Sequence, residues 1–145
     1  MNEMLKERLE GRGKVQRLLS KMYVMDDSIL IVEDDKDIRE VLTTYLEIKG
    51  FEVKGTEDVT VSELSPKPDL ILLDVALGGK SGKDICREVK QNPVTANIPV
   101  IMMSANSGAY ASCMQAGANS FISKPFEFTL LINTIKSLLQ SGRKR

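Results

Sequence analysis

The sequence has no histidine and no tryptophan, and its aromatic content is three tyrosines and four phenylalanines. Without histidine, an imidazole general base, a histidine metal site and a phosphohistidine carried by the chain itself are all excluded. Cysteine is nearly absent too: Cys86 and Cys113 fall in separate expected helices without metal-ligand spacing, and read as ordinary reduced thiols. No apolar run approaches the ~20 residues of a membrane span, and the N-terminal region lacks the compact apolar core of a signal peptide. The expectation is a cytoplasmic protein. Neither sign of charge is in excess, with Lys+Arg 20 against Asp+Glu 20, so nothing global draws the chain to nucleic acid or to an anionic membrane.

What is present suits one folded domain. A chain of 145 residues, 42% hydrophobic, can bury a single core. Short apolar runs alternate with helix-period segments from Ser28 onward. Ile29–Val32, Phe51–Val53, Leu70–Leu73, Pro99–Met103 and Ser120–Ser123 read as five strands. Between and after them, Ile38, Val41, Leu42, Tyr45 and Leu46 form one helical stripe that stops at Gly50. Ile85, Cys86 and Val89 mark a second helix closed by Asn92-Pro93. Tyr110–Gln115 marks another, and Leu131, Ile135, Leu138 and Leu139 give the last helix its buried face. Val59 to Leu64 is a short helix in this reading and the weakest element. Continuous apolar strands between amphipathic helices imply an α/β fold, a five-stranded parallel sheet covered on both faces.

In such a sheet ligands bind at the carboxyl ends of the strands. Those ends carry Glu33, Asp34 and Asp35, then Asp74, then Ser104, then Lys124-Pro125. The run Leu70-Ile71-Leu72-Leu73-Asp74 is informative, because a lone carboxylate closing an apolar strand is costly unless something pairs with it. Clustered carboxylates repel unless a cation lies among them, and Mg²⁺ suits oxygen ligands while keeping positions open for phosphate oxygens. Asp74 can then attack phosphorus to form an acyl phosphate, with Lys124 and the Ser104 hydroxyl holding the phosphoryl oxygens. The glycines after Asp74 allow the loop backbone to approach the ion closely.

At these residues the sequence resembles the receiver domain of two-component response regulators. The resemblance covers Ser28 to about Gln140 and rests on ILIVEDD, PDLILLD, IPVIMMSA and AGANSFISKPF in that order. It implies a flavodoxin-like, doubly wound fold in which Asp74 is the phosphoacceptor, Glu33 and Asp34 are the acid pair holding Mg²⁺, and the backbone carbonyl of Ala76 completes the metal site. It further implies that Ser104 is the switch hydroxyl, that Lys124 is the family's lysine with a cis bond to Pro125, and that Phe121 is the aromatic that turns inward when Ser104 moves. The face so switched lies between the Tyr110–Gln115 helix, the last strand and the last helix. Ala76 and Asn106 fall at the positions flanking the water that attacks during dephosphorylation. Gly78 stands where relatives usually carry proline and Ser81 where aspartate is common, which leads us to expect a mobile loop after Asp74.

The same residues have plainer readings. Glu33 to Asp37 alone is an ordinary acidic helix start, Ser104 alone a cap, Lys124 alone a surface lysine, and Phe121 alone a core side chain. Gly79-Lys80-Ser81 matches the tail of a phosphate-binding P-loop, but Asp74 stands where that motif needs glycine. A haloacid-dehalogenase phosphatase would need a second acid where Ala76 stands. The rival that survives is a pseudo-receiver, a phosphorylation-independent protein-binding module.

The expected organisation is therefore an N-terminal extension over 1–25, partly helical, a receiver over 26–141, and a basic tail over 142–145. In the extension Val15, Leu18, Leu19 and Met22 lie at helical spacing opposite Lys14, Arg17 and Lys21, which suits docking, or pairing into a homodimer, with membrane-surface binding a minor third reading because the segment is basic. If Met25 is the natural start, the extension has no function. The whole reads as a stand-alone signalling phosphoacceptor rather than an enzyme. Its partners are a histidine kinase or histidine phosphotransfer protein, which must supply the phosphohistidine this chain lacks, and a downstream output protein, with no nucleic acid and no membrane span.

Overall fold

The computed structural model describes residues 27–143, together with Gly13. The extension expected over 1–25 lies outside these apart from Gly13, as do the last two residues of the tail.

Five strands form one parallel sheet: β1 (Ser28–Val32), β2 (Glu52–Thr56), β3 (Leu70–Asp74), β4 (Val100–Ser104) and β5 (Ser120–Ser123), in the order β2-β1-β3-β4-β5. Around the sheet lie the helices α1 (Lys36–Ile48), α2 (Gly82–Gln91), α3 (Tyr110–Gln115) and α4 (Phe128–Arg143). β3 and β4 are buried at every position, which is why they appear in the sequence as unbroken apolar runs. Alternation divides the core in two. Ile29, Ile31, Leu70, Leu72, Ile101 and Met103 pack under α1 and α4 with Leu42, Leu46, Leu131 and Ile135. Leu30, Val32, Ile71, Leu73, Val100 and Met102 pack on the other face with Ile85, Cys86, Val89 and Cys113. Each such side chain is worth about 1.5–3 kcal/mol when fully buried, so the two layers hold the strand ends in fixed register. Cys86 and Cys113 are both buried free thiols.

Three expectations need correction. Val59 to Leu64 holds only a single 3-10 turn, Val61–Glu63, because Ser65-Pro66-Lys67-Pro68 leaves no room to continue a helix. β2 runs on to Thr56 instead of ending at Val53. It is an edge strand whose Glu52 and Lys54 face solvent, so its polar half carries no apolar signal. The final helix continues through Ser141 and Gly142 to Arg143, into the stretch read as a tail. The loop after Asp74 forms an antiparallel hairpin pairing Ala76–Leu77 with Lys80–Ser81. Gly78 supplies the positive φ of its turn, and Lys80 Nζ lies 2.9 Å from Asp58 Oδ2.

Candidate functional site

Four strand ends and the loops after them build the site. Asp74 closes β3, the central strand, and is 5% exposed; Glu33 follows β1 and is 1% exposed. Lys124, just beyond β5, reaches across to both: its Nζ donates to Asp74 Oδ2 at 2.7 Å and to Glu33 Oε2 at 3.2 Å. The Lys124–Pro125 peptide is cis. Asp34 is exposed, yet oxygens of Glu33, Asp34 and Asp74 all lie within 4.8 Å of one another. Asp35, the remaining acid of the run, turns away to cap α1, accepting from the Asp37 and Ile38 amides at 2.9 and 3.1 Å.

The backbone around Asp74 is crowded. A Cβ on Gly82 would collide with the Asp74 carbonyl oxygen, so residue 82 is a place where only glycine lets α2 begin against the strand. This close approach is to the backbone of Asp74 itself. Ser81 caps α2 by accepting from the Lys83 amide at 3.2 Å, and the Ala76 amide donates to Asp74 Oδ1 at 3.2 Å.

Electrostatics follow from this packing. Burial, reinforced by the Asp74 carboxylate, raises Glu33 to about 7. Burial also works against ionised Asp74, but hydrogen bonds from Glu33 and Lys124 outweigh it and hold Asp74 below its ordinary value. Lys124 is held above its ordinary value because Asp74 and Glu33 together overcome the cost of its burial. Near neutrality the pocket thus contains one ionised aspartate, one lysine cation and a glutamate near its midpoint.

At the end of β4, the hydroxyl oxygen of buried Ser104 accepts from the Asn106 amide at 3.0 Å. Asn106 itself caps the 3-10 turn Ser107–Ala109 through the Gly108 amide at 2.9 Å. Phe121, on β5, is half-buried and meets Tyr110 edge to face, with ring centroids 5.9 Å apart. Asp74, Glu33, Asp34 and Lys124 therefore form one cluster. Ala76 joins it through its amide on Asp74, the Ser104 carbonyl accepts from the Lys124 amide at 2.8 Å, Asn106 is tied to Ser104, and Phe121 lies on β5.

The family model of the response regulator receiver domain matches residues 29–136. The chain belongs to that family. Among curated relatives, the phosphate regulon transcriptional regulatory protein PhoB of Pseudomonas aeruginosa is 36% identical over 118 residues, 78% of this chain and 52% of that protein. PhoB of Escherichia coli is 38% identical over 117 residues, 77% of this chain and 51% of that protein. This receiver thus spans about half the length of the curated relatives it matches. Among solved structures, the receiver domain of NtrX from Brucella abortus is 30% identical with a TM-score of 0.69, covering 77% of this chain and 98% of that one. The signal receiver domain of a histidine kinase from Syntrophus aciditrophicus is also 30% identical with a TM-score of 0.69, covering 79% and 91%.

The receiver is thereby a two-component signalling domain with a flavodoxin-like fold. Receivers in general bind Mg²⁺ through acidic residues, and the donor set here fits that ion. Three carboxylates converge, all-oxygen and partly buried, with one lysine nearby, which leaves negative charge for a hard divalent cation to neutralise. Among the described residues no helix is long and apolar enough to cross a membrane. The sequence reading missed Tyr110 as the partner of Phe121 and Arg39 as a support of Glu33. The Arg39 guanidinium donates to the Glu33 backbone carbonyl and the two rings meet edge to face, contacts that no local motif marks.

Proposed function

We propose that this receiver accepts a phosphoryl group on Asp74 from a phosphohistidine carried by a partner kinase or phosphotransfer protein. The observation that carries the reading is the Asp74 carboxylate held between Lys124 Nζ at 2.7 Å and the acid pair Glu33 and Asp34. One Asp74 oxygen attacks phosphorus; an O–P bond forms, the P–N bond breaks, and its electron pair returns to the donor imidazole, which takes up a proton. Lys124 stays within reach of the transferred oxygens. Glu33, Asp34 and Asp74, with the Ala76 carbonyl, would hold Mg²⁺, which when bound neutralises charge on the phosphoryl oxygens. The chain's own work is to keep Asp74 ionised, aligned and shielded on its buried side.

In this reading Ser104 is the hydroxyl that turns toward the phosphoryl group, and Phe121 follows it, changing the surface formed by α3, β5 and α4. Ala76 and Asn106 flank the water that later hydrolyses the acyl phosphate. An output protein or domain reads the changed surface, and the domain itself acts as a signalling phosphoacceptor.

Intact mass after incubation with Mg²⁺ and acetyl phosphate tests the reading. One phosphoryl adduct is expected, lost in Asp74→Asn and in the presence of a chelator. An adduct retained in Asp74→Asn would remove Asp74 from its role. No adduct from either acetyl phosphate or a cognate phosphohistidine donor would leave a phosphorylation-independent binding module.

A further inference from the structure

One half-buried cation near the site, Arg39, takes no part in the chemistry described so far. Arg39, on the first turns of α1, has a side chain only 16% exposed, and its Nη1 donates to the Glu33 carbonyl oxygen at 2.7 Å. Its stem lies against Gly55 of β2, where an added Cβ would stand 2.9 Å from Arg39 Cγ. Nη2 lies 3.9 Å from exposed Glu57. The strand ladder explains why a side chain is used here. The Glu33 amide donates to the Thr56 carbonyl at 3.0 Å, the last rung between β1 and β2. β2 then ends, so the Glu33 carbonyl receives its hydrogen bond from the Arg39 guanidinium in place of a strand amide. Glu33 is thus fixed on both sides of its Cα, the amide by β2 and the carbonyl by α1. Its carboxylate, in turn, is the one that meets Lys124 and converges with Asp34 and Asp74.

We infer that Arg39 is a positioning residue for the cation site: by holding the Glu33 backbone it sets where the Glu33 carboxylate stands, and so tunes Mg²⁺ affinity without touching the ion. This rests on the metal-binding reading of the acid pocket. Groups behind the direct ligands of metal sites often have this role, and losing one typically weakens binding tenfold or more.

The test is calorimetric titration with Mg²⁺ of the wild type, Arg39→Ala and Leu139→Ala. Leu139 is a buried α4 residue of the core layer under α1 and α4, so its truncation lowers stability without removing any group of the acid pocket. A dissociation constant raised roughly tenfold in Arg39→Ala and unchanged in Leu139→Ala supports the inference. Wild-type affinity in Arg39→Ala, or an equal loss in both variants, overturns it. If Arg39→Ala does not fold, Gly55→Ala, which pushes on the Arg39 stem, takes its place with the same criteria. Failure of the wild type to bind Mg²⁺ at all is a different result: it refutes the metal-binding reading, and the role of Arg39 falls with it.

Discussion

The α-carbon of Gly82 faces the carbonyl oxygen of Asp74 so closely that no side chain fits between them. The N-terminus of α2 is therefore seated on the backbone of the candidate phosphoacceptor. Gly82→Ala should force α2 or the end of β3 to move, with a stability loss above about 3 kcal/mol and slowed acetyl phosphate labelling. Urea unfolding and labelling rates check this; a variant as stable and as reactive as wild type would mean that the junction yields easily.

Glu33 provides a pH signature. Its folded value of about 7 lies above the ordinary 4.5, so between those values the native state holds a proton that the unfolded chain has released. Stability of the metal-free receiver should consequently fall as pH rises from about 4.5 through about 7. Mg²⁺ should flatten the upper part of that slope by favouring the ionised form. Thermal melts across this range, with and without Mg²⁺, should show the slope in wild type and lose it in Glu33→Gln; an unchanged slope in the variant would assign it to another group.

Asp34 separates metal binding from the fold. It is exposed and has no part in the buried Lys124 bridge, so Asp34→Ala should leave the melting temperature nearly unchanged while weakening Mg²⁺ at least tenfold. A titration that matches wild type would move the ion elsewhere.

Lys124→Ala is expected to divide phosphorylation from its readout. Asp74 keeps its position at the end of β3, so labelling should persist, whereas the link from the phosphoryl group to β5 is cut. Hydrogen exchange around Tyr110 and Phe121 should respond to phosphorylation in wild type and stay flat in the variant. A response of wild-type size would remove Lys124 from the coupling.

How much of this was legible in the sequence depended on burial. β3 and β4 have the core on both faces, and their apolar runs marked them almost to the residue. β2 was cut short at Val53 because its other side chains meet solvent on an open edge. The hairpin after Asp74 has two residues per strand, too few for any periodicity, and its pinning by Lys80 and Asp58 joins residues 22 positions apart. Among the site residues, Glu33, Asp34, Asp74 and Lys124 were foreseeable because strand ends collect at one rim of a parallel sheet. Arg39 was not, since its value lies in a backbone carbonyl that loses its strand partner, a condition visible only once the ladder is built.

The contact between Tyr110 and Phe121 has a practical side. The chain has no tryptophan and only three tyrosines, so near-ultraviolet emission comes from very few rings. Tyr110 is 56% exposed and rests edge to face on the aromatic assigned to the switch. If Phe121 turns inward, Tyr110 loses that neighbour, and its quantum yield and anisotropy should change with no dye attached. The domain would carry its own optical gauge of signalling state, readable in a cuvette during phosphorylation and calibrated against Tyr110→Leu.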